Sequence, residues 1–311
     1  MNILITGGAG FIASHIVDKY IAEGNHVVVV DNLSAGSLNN LNKKAEFYNI
    51  DIYKNPLGEI IQKHKIDVIC HHAAQIDLRK SISDPVYDAR INIEGSLNLF
   101  QAALKSGVKK IIFASSGGSI YGEQKEFPAR ESHSKNPISP YGISKLAIEK
   151  YLKFYKFHYG IEHIILRYSN VYGPRQSSKG DCGVISVFCK LLNEKKQPVL
   201  NGDGTNTRDY LYVQDVVEAN LNALHYNGSA IVNISTAAET NLNELFKLIN
   251  ESYGNIAKEV HGNPIPGEQK RSVLDNSKAK EILNWAPEFN IEKGIAETCK
   301  WFIENSINKS E

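Results

Sequence analysis

The hydrophobic positions of the first 170 residues alternate between two patterns. Continuous apolar runs, typical of strands covered on both faces of a parallel sheet, fall at residues 3–5, 27–30, 68–70, 111–113 and 164–166. Between several of them, apolar residues recur at helical spacing, at about 11–23, 91–105 and 141–158. Alternating strands and helices predict an α/β fold with a doubly wound parallel sheet.

From about residue 171 this alternation gives way to loops rich in Gly, Asn and Pro, with short helices. We expect a first domain over residues 1–170 and a smaller substrate-binding domain over 171–311. The second would sit at the carboxyl ends of the strands, where open α/β sheets bind ligands. The helix- and strand-like pattern at 210–235 predicts a return of the chain to the main sheet.

A glycine-rich turn separates the first predicted strand from the first helix. Gly7, Gly8 and Gly10 stand there, followed by Phe11 and Ile12 at the helix start. Such glycines allow a tight turn and let the backbone approach a pyrophosphate, which the helix N-terminus then binds. The turn therefore predicts a Rossmann dinucleotide site; packing of helix on strand is the alternative reason for the glycines.

The second strand ends in Asp31, where a carboxylate would bind an adenosine ribose and repel a 2′-phosphate. This residue predicts NAD as the cofactor in preference to NADP. Asn32, Ser34 and Gly36 are expected to flank the same ribose. Asp51 is a candidate for the adenine end, with a solvated loop aspartate as the alternative.

Tyr141 and Lys145 lie one helical turn apart in the predicted helix 141–158, and so share a face. Ser139 and Pro140 just before them predict the helix start. A nearby ammonium favours the ionised form of a phenol, so Tyr141 is a candidate general base. With 15 tyrosines in the chain, chance alone is expected to give roughly one such pair, so its neighbours must decide its meaning.

Serines follow the strand at 111–113, at the end where the cofactor is expected. Ser116 lies 25 positions before Tyr141 and is a candidate to bind a substrate oxygen. A serine-rich turn without chemistry is the alternative. Further on, the polar loop 202–210 carries Arg208, whose guanidinium suits diphosphate recognition, with a surface ion pair as the alternative.

Composition excludes several other classes of protein. The 311 residues carry a formal charge of +1 and 42% hydrophobic residues, which predicts a globular protein without affinity for nucleic acid or a membrane. Four scattered cysteines, Cys70, Cys182, Cys189 and Cys299, indicate reduced thiols and a cytoplasmic location.

His71 and His72 are the one pair that suggests a metal. Adjacent residues on a strand point to opposite faces, and no further ligands accompany the pair in the sequence. No metal is therefore expected.

Taken in order, the motifs resemble the extended short-chain dehydrogenase/reductases that act on nucleotide sugars, over nearly the whole chain. The motifs that carry the resemblance are Thr-Gly-Gly-Ala-Gly-Phe-Ile-Ala at 6–13, Asp-Asn-Leu-Ser at 31–34, His-Ala-Ala-Gln at 72–75, Asn-Ile-Glu-Gly-Ser-Leu-Asn at 92–98, the segment 115–121, Tyr-x-x-x-Lys at 141–145 and Asn-Val-Tyr-Gly-Pro at 170–174. Within that family the chain most resembles the 4-epimerases of UDP-glucose.

The resemblance implies a 4-epimerase that holds NAD and a UDP-sugar and works through a 4-keto intermediate. It implies that Tyr141 is the base on the sugar 4-hydroxyl, that Lys145 binds the nicotinamide ribose, and that Ser116 binds the sugar. Ser115 is the alternative, because the alignment of this glycine-containing loop can slip by one. Asn170 and Arg208 would hold the nucleotide, and the helices near 92–105 and 141–158 would pair across a homodimer. Further expected cofactor contacts are Ile52, Ala73, Ala74, Gln75, Asn92 and Tyr168.

Three positions, compared with the pattern of the family, refine this expectation. The dehydratases and decarboxylases of the family typically carry an acidic residue where this chain has Gly117 to Ile120, so elimination chemistry is disfavoured. The usual arginine of a late motif is replaced by Ile265, which leaves its phosphate contact missing or assigned to Arg271. Ser272 falls near the position that gates the sugar pocket and would leave room for an N-acetyl group, so UDP-GlcNAc is a second expected substrate.

Two other functions stay open at this point. A UDP-glucuronate 4-epimerase would need cations for the sugar carboxylate, and Arg79 and Arg175 are the candidates. A catalytically silent NAD-binding sensor would need the glycine turn but not the base.

Overall fold

A seven-stranded parallel sheet organises the protein, as seen in a computed structural model that describes residues 1–177, 183–265 and 267–307. Its order is β11-β6-β5-β4-β1-β2-β3. The strands are β1 Asn2–Thr6, β2 His26–Asp31, β3 Glu46–Asn49, β4 Val68–His71, β5 Lys110–Ser116, β6 Glu162–Tyr168 and β11 Ala230–Ile234. The predicted α/β fold with a doubly wound parallel sheet is confirmed.

Helices cover both faces of this sheet. They are α1 Phe11–Ala22, α2 Gly58–Lys63, α3 Leu78–Ser83, α4 Pro85–Ala89, α5 Gly95–Lys105, α6 Gly117–Tyr121, α7 Pro140–Tyr159, α8 Val184–Asn193, α9 Val213–His225, α10 Leu242–Ser252, α11 Ser277–Leu283 and α12 Ile291–Ile307. A π-helical turn, Arg90–Glu94, joins α4 to α5. One hydrophobic cluster packs α1 and α9 on one face of the sheet, and a second packs α5 and α7 on the other.

Local sequence signals set the ends of the two helices that matter most for the site. The chain leaves α1 through Gly24 at φ +80°, a left-handed conformation that glycine adopts without strain. At the start of α7, the Ser139 hydroxyl accepts a hydrogen bond from the Gly142 amide, and Pro140 occupies the first helical turn. The predicted starts of both helices, at 11 and near 140, are confirmed.

Short strands, together with helices α8, α10 and α12, form a further layer beyond the main sheet. The strands are β7 Asn170–Tyr172, β8 Leu200–Asn201, β9 Thr207–Arg208, β10 Tyr210–Tyr212, β12 Thr240–Asn241, β13 His261–Gly262 and β14 Arg271–Ser272. A third hydrophobic cluster, with members from α8, α10 and α12, lies among them. The division into domains at residue 170 stays a prediction, although β11 joins the main sheet as its pattern indicated.

Two further observations concern whole-chain expectations. Among the described residues, no helix combines the length and the apolar content that crossing a membrane requires. Cys70, Cys189 and Cys299 are free and buried, whereas Cys182 lies outside the described residues.

Candidate active site

The turn after β1 brings the backbone of Gly7 against the loop that follows β4. Gly7 has φ +73°, and a Cβ there would lie 2.7 Å from the amide nitrogen of Ala73. The same Ala73 amide donates to the Thr6 hydroxyl. Only glycine satisfies both the backbone conformation and the close approach.

The start of α1 lies directly beyond this turn, and its N-cap is Gly10, which offers no side chain to the helix amides. A Cβ on Gly10 would lie 3.0 Å from the Gly7 carbonyl oxygen. The backbone amides of Phe11 and Ile12, in the first turn of α1, therefore lie beside a turn that glycine keeps free of side chains. Such a helix start binds anionic groups.

Asp31 ends β2 beside this helix start. Its carboxylate accepts hydrogen bonds from the amides of Ala9 at 3.0 Å and Leu33 at 2.7 Å, and the residue is 8% exposed. These two donors fix the carboxylate at the edge of the glycine turn. Gly36 comes close to the same turn, since a Cβ there would lie 2.9 Å from that of Ala9.

The residues expected around the adenosine also come together. Asn32 donates to the Asp51 carboxylate at 3.0 Å and accepts from the Ser34 amide. Ile52, next to Asp51, is 5% exposed and packs against Gly95 at the start of α5.

Asn92 acts on the loop 73–75 through both ends of its amide group. Its oxygen accepts from the Gln75 amide at 2.8 Å, and its nitrogen donates to the Gln75 carbonyl oxygen at 2.9 Å. Asn92 thereby holds the backbone of Ala74 and Gln75 in place. Its predicted direct contact with a cofactor stays a prediction, and so does that of Tyr168, whose hydroxyl accepts from Asn220.

His71 and His72 point to opposite faces of the sheet, as expected. The Nδ1 atom of His71 lies 2.7 Å from the Thr6 hydroxyl, and its Nε2 atom lies 2.9 Å from that of Ser96. His72 stacks on the ring of Tyr168 instead. Both ring nitrogens of His71 therefore position backbone segments of the site.

Tyr141 and Lys145 lie on the first turns of α7, against the end of β5. The Lys145 ammonium donates to the Ala114 carbonyl oxygen at 2.8 Å and lies 5.7 Å from the centre of the Tyr141 ring. The Ser81 hydroxyl accepts from the Tyr141 amide at 2.8 Å and so ties α3 to the start of α7. The predicted pair on one helix face is present.

The electrostatics of this pair differ from the expectation. Burial raises the pKa of Tyr141 well above its ordinary value of 10, and the nearby Asp88 carboxylate raises it further. Burial also lowers the pKa of Lys145 to about 8, with Asp88 and Glu149 opposing the shift. The pKa of Tyr141 therefore does not follow the expectation that the nearby ammonium favours the ionised phenol, because loss of hydration and the Asp88 carboxylate both raise it.

Ser115 and Ser116 face different surroundings at the end of β5. Ser115 is 4% exposed and donates to the Glu149 carboxylate at 2.8 Å, next to the ion pair that Glu149 forms with Arg167. Ser116 is partly exposed, and its hydroxyl caps α6 and bonds to the hydroxyl of Ser119 at 3.2 Å. The geometry favours Ser116 over Ser115 as the serine open to a ligand.

Asn170, Arg208 and Ser272 lie on the short strands β7, β9 and β14, which belong to two small sheets. Asn170 pairs with Tyr210 in the β7–β10 ladder, and Ser272 pairs with Arg208 in the β9–β14 ladder. A Cβ built on Gly118 would lie 3.7 Å from the Ser272 hydroxyl, so this group adjoins α6 and the Ser116 region. Arg208 also pairs with Glu268 at 3.2 Å, which is the ion pair considered as its alternative.

Arg271 is already engaged. Its guanidinium forms bonds of 2.7–2.9 Å with Glu239 and stacks on the Phe127 ring at 4.0 Å. Arg271 and Ile265 border an open cavity of about 1270 Å³, which Tyr141, Lys145 and Ser116 do not line. A phosphate contact for Arg271 stays a prediction.

Comparisons with known proteins agree with this geometry. The sequence profile of the NAD dependent epimerase/dehydratase family matches residues 3–235. The chain belongs to that family.

Similar relatives cover the whole chain. A protein of Methanocaldococcus jannaschii named as a putative UDP-glucose 4-epimerase is 48% identical, with 98% of this chain and 99% of the relative covered. The structure of a UDP-glucose 4-epimerase from Thermotoga maritima with UDP-glucose superposes with a TM-score of 0.96 at 45% identity, covering 98% of this chain and 100% of that one. A Thermus thermophilus UDP-glucose 4-epimerase in complex with NAD gives a TM-score of 0.91 at 37% identity, covering 97% and 99%.

The residues present fit the cofactor of an NAD-dependent family. Gly7 and Gly10 keep the turn clear of side chains, and the N-terminus of α1 supplies amides beside it. The Asp31 carboxylate marks the end of β2, where the ribose is expected.

Two residues of this family member were missed by sequence reasoning. Asp88 is fully buried, accepts from Ser144 at 2.7 Å and shifts the pKa values of both Tyr141 and Lys145. Ser119 bonds to Ser116, and its carbonyl oxygen packs where a Cβ on Gly142 would be. Asp88 lies in none of the sequence motifs and so could not be predicted, whereas Ser119 lies within the motif 115–121 and could have been.

Proposed function

We propose that this protein is an NAD-dependent 4-epimerase of a UDP-sugar and that it interconverts UDP-glucose and UDP-galactose. The observation that carries the proposal is the Tyr141–Lys145 pair of α7, which lies against the carboxyl end of β5. The dinucleotide turn follows the carboxyl end of β1 in the same sheet. Membership of the NAD-dependent epimerase/dehydratase family supports it.

The glycine turn after β1 and the end of β2 would bind the cofactor. Gly7, Gly10 and the amides of Phe11 and Ile12 would hold the pyrophosphate, and Asp31 would bind the adenosine ribose. The negative charge of Asp31 disfavours a 2′-phosphate, which supports NAD over NADP. When bound, NAD would supply a reversible hydride acceptor for sugar C4 and a positive charge.

Tyr141 removes the proton of the sugar 4-hydroxyl in this proposal and returns it after the ring has turned. Its pKa must fall from its raised value, and a positive charge placed beside the phenol acts in that direction. Lys145 holds its ammonium by the bond to Ala114 and stays mostly charged at pH 7, because its pKa is about 8. Ser116 donates to the sugar oxygen.

The nucleotide part of the substrate is assigned to the short-strand layer. We propose that Asn170 and Arg208 bind the diphosphate and uracil side, since the Asn170 amide donates to the carbonyl oxygen of Asp209, the residue after Arg208. Ile265 stands where the family usually has an arginine that binds a phosphate. Arg271 can make that contact only if the phosphate competes with Glu239 for its guanidinium.

Two small residues support a wide sugar pocket. Gly118 faces Ser272, which is 3% exposed and whose hydroxyl stands 3.7 Å from a Cβ position at Gly118. The resemblance places Ser272 near the residue that gates the sugar pocket, and a serine leaves more room there for an N-acetyl group than a larger residue would. We therefore propose UDP-GlcNAc as a second substrate.

The two arginines considered for the uronate alternative do not support it. The Arg175 guanidinium is 2.7 Å from the Asp18 carboxylate, and Arg79 is exposed on α3. Neither is free and placed to bind a sugar carboxylate in the pocket of Tyr141. A silent sensor is disfavoured by the presence of Tyr141, Lys145 and Ser116 together.

A homodimer is also proposed, through α5 and α7. The outer face of α7 exposes large apolar side chains, with exposed fractions of 54% for Ile143, 42% for Phe154 and 84% for Phe157. A patch of this kind marks an interaction surface, and the resemblance assigns these helices to a second copy. Light scattering should give twice the chain mass, and Phe157→Glu should give monomers while Lys247→Glu, at a 75% exposed side chain on α10, should not.

We also propose a cytoplasmic location. The Sγ atoms of Cys189 and Cys299 lie 3.7 Å apart and are not bonded, which suits a reducing compartment.

The function is tested by incubating the purified protein with UDP-glucose and, separately, with UDP-GlcNAc, without added cofactor. Anion-exchange chromatography should detect UDP-galactose in the first reaction and UDP-GalNAc in the second. Product from UDP-glucose alone would reject the wide pocket, whereas no product from either sugar after NAD is added would reject the proposed function.

A further inference from the structure

Two histidines and a glutamate meet at the edge of the main sheet, far from Tyr141 in the fold. His26 begins β2, Glu46 begins the edge strand β3, and His64 follows α2. His26 and Glu46 stand at the amino ends of their strands, whereas Asp31 and Ser116 stand at the carboxyl ends. We call His26, Glu46 and His64 the edge cluster.

The potential ligand atoms of the edge cluster converge. The Glu46 Oε1 atom lies 2.7 Å from His26 Nε2 and 3.5 Å from His64 Nδ1, and all three atoms lie within 4.8 Å of one another. Tetrahedral zinc, with bonds of about 2.0–2.2 Å, places its ligand atoms roughly 3.3 Å apart. Small rotations of the two half-exposed side chains, His26 and Glu46, would reach that spacing.

Neighbouring side chains prepare His64 to act as a ligand. His64 Nε2 lies 2.7 Å from the Tyr48 hydroxyl, and the Lys63 ammonium donates to that same oxygen at 2.9 Å. With the imidazole Nε2–H donating to Tyr48, the lone pair of Nδ1 is directed toward Glu46 and His26. The 3.5 Å between Nδ1 and Glu46 is too long for a good hydrogen bond, which agrees with an unprotonated Nδ1.

This arrangement matches how proteins bind transition metals. Neutral imidazoles and a carboxylate suit zinc, and a ligating histidine commonly donates its other N–H to an oxygen, as His64 can to Tyr48. Among the described residues, the edge cluster is the one group of three such side chains with this spacing.

We propose that the edge cluster binds one Zn²⁺ ion through His26 Nε2, Glu46 and His64 Nδ1, with water in the fourth position. The ion would join β2, the four-residue edge strand β3 and the end of α2. Its role is to stabilise this edge of the sheet. The proposal does not rest on the proposed activity.

The test uses protein free of any histidine tag, stripped with a chelator and dialysed. Zinc is titrated against a chromophoric chelator, and we expect one ion per chain. His26→Gln should weaken binding at least tenfold, as should His64→Gln. His26 is the safer variant, because its side chain is 41% exposed and its loss should leave folding intact.

His261→Gln is the matched control, since His261 forms an exposed pair with Glu259 at 2.9 Å that, among the residues the structure describes, is not part of a group of three potential ligands. This variant should bind zinc as the unaltered protein does. Zinc should also raise the melting temperature of the unaltered protein and not that of His26→Gln. Absence of zinc binding, equal binding by His26→Gln, or a loss in His261→Gln alone would each overturn the proposal.

Discussion

The Ser115 hydroxyl donates a hydrogen bond of 2.8 Å to the Glu149 carboxylate, which also receives two hydrogen bonds from Arg167. Glu149 and Arg167 are both almost fully buried. Ser115 thus helps to satisfy a buried charge, while the neighbouring Ser116 remains open to a ligand. Two adjacent serines at the end of one strand therefore have different surroundings, and we expect them to have different tasks.

Replacing each serine by alanine should separate these tasks. Ser115→Ala should lower the free energy of unfolding by about 1–3 kcal/mol, because the Glu149 carboxylate loses a donor, and should leave kcat within a few-fold. Ser116→Ala should lower kcat by at least tenfold and cost about 1 kcal/mol for the lost cap of α6. Denaturant unfolding and steady-state kinetics measure both, and the reverse pattern would assign the chemistry to Ser115.

The glycine turn should tolerate no side chain. Gly7→Ala places a Cβ 2.7 Å from the Ala73 amide nitrogen, so the variant should purify without NAD and show no epimerisation. Gly24→Ala is the control, since Gly24 has a similar φ of +80° but open space around its Cβ position. This control should lose only about 1–2 kcal/mol of stability and keep its NAD. Equal NAD content in both variants, measured by absorbance after denaturation, would contradict the assigned turn.

Acidification should destabilise the protein through His15. Burial lowers the pKa of His15 from 6.5 to about 4, against the opposing hydrogen bond with the Pro174 carbonyl. Between these values the unfolded chain binds a proton that the folded chain does not, so the free energy of unfolding falls as the pH drops. His15 should account for about 3 kcal/mol of this loss at pH 4.

Denaturant unfolding between pH 7 and pH 4 measures the effect. His15→Gln should reduce the loss of stability by about 3 kcal/mol and leave the part due to His71, His72 and His163, whose pKa values burial also lowers. His225→Gln, at an exposed histidine of α9, should leave the pH dependence unchanged. The same slope in all three proteins would show that His15 protonates freely in the folded state.

The fold and the candidate site were predicted from short sequence motifs. The glycine turn, the end of β2 at Asp31 and the Tyr141–Lys145 spacing each involve a short segment whose geometry follows from its own residues. Glu149 and Ser115 are 34 positions apart in the sequence, and Asp88 and Ser144 are 56 positions apart. No local sequence pattern predicts such long-range contacts.

Burial explains the rest of what the sequence could not provide. The pKa of Tyr141 is raised because the fold removes water from its phenol, and the sequence shows only the lysine one turn away. The edge cluster likewise escaped notice, because His26, Glu46 and His64 are far apart along the chain and meet only when β2, β3 and α2 pack.

The role of Tyr141 as the base is the central claim, and its most direct test is the rate at which Tyr141→Phe converts UDP-glucose to UDP-galactose. NAD content should match that of the unaltered protein, while kcat should fall by about 10²–10⁴-fold, because the base is lost and the ring is kept. Tyr151→Phe, ten residues further along α7 at a 40% exposed position, is the matched control and should turn over normally. Normal turnover by Tyr141→Phe would contradict the account.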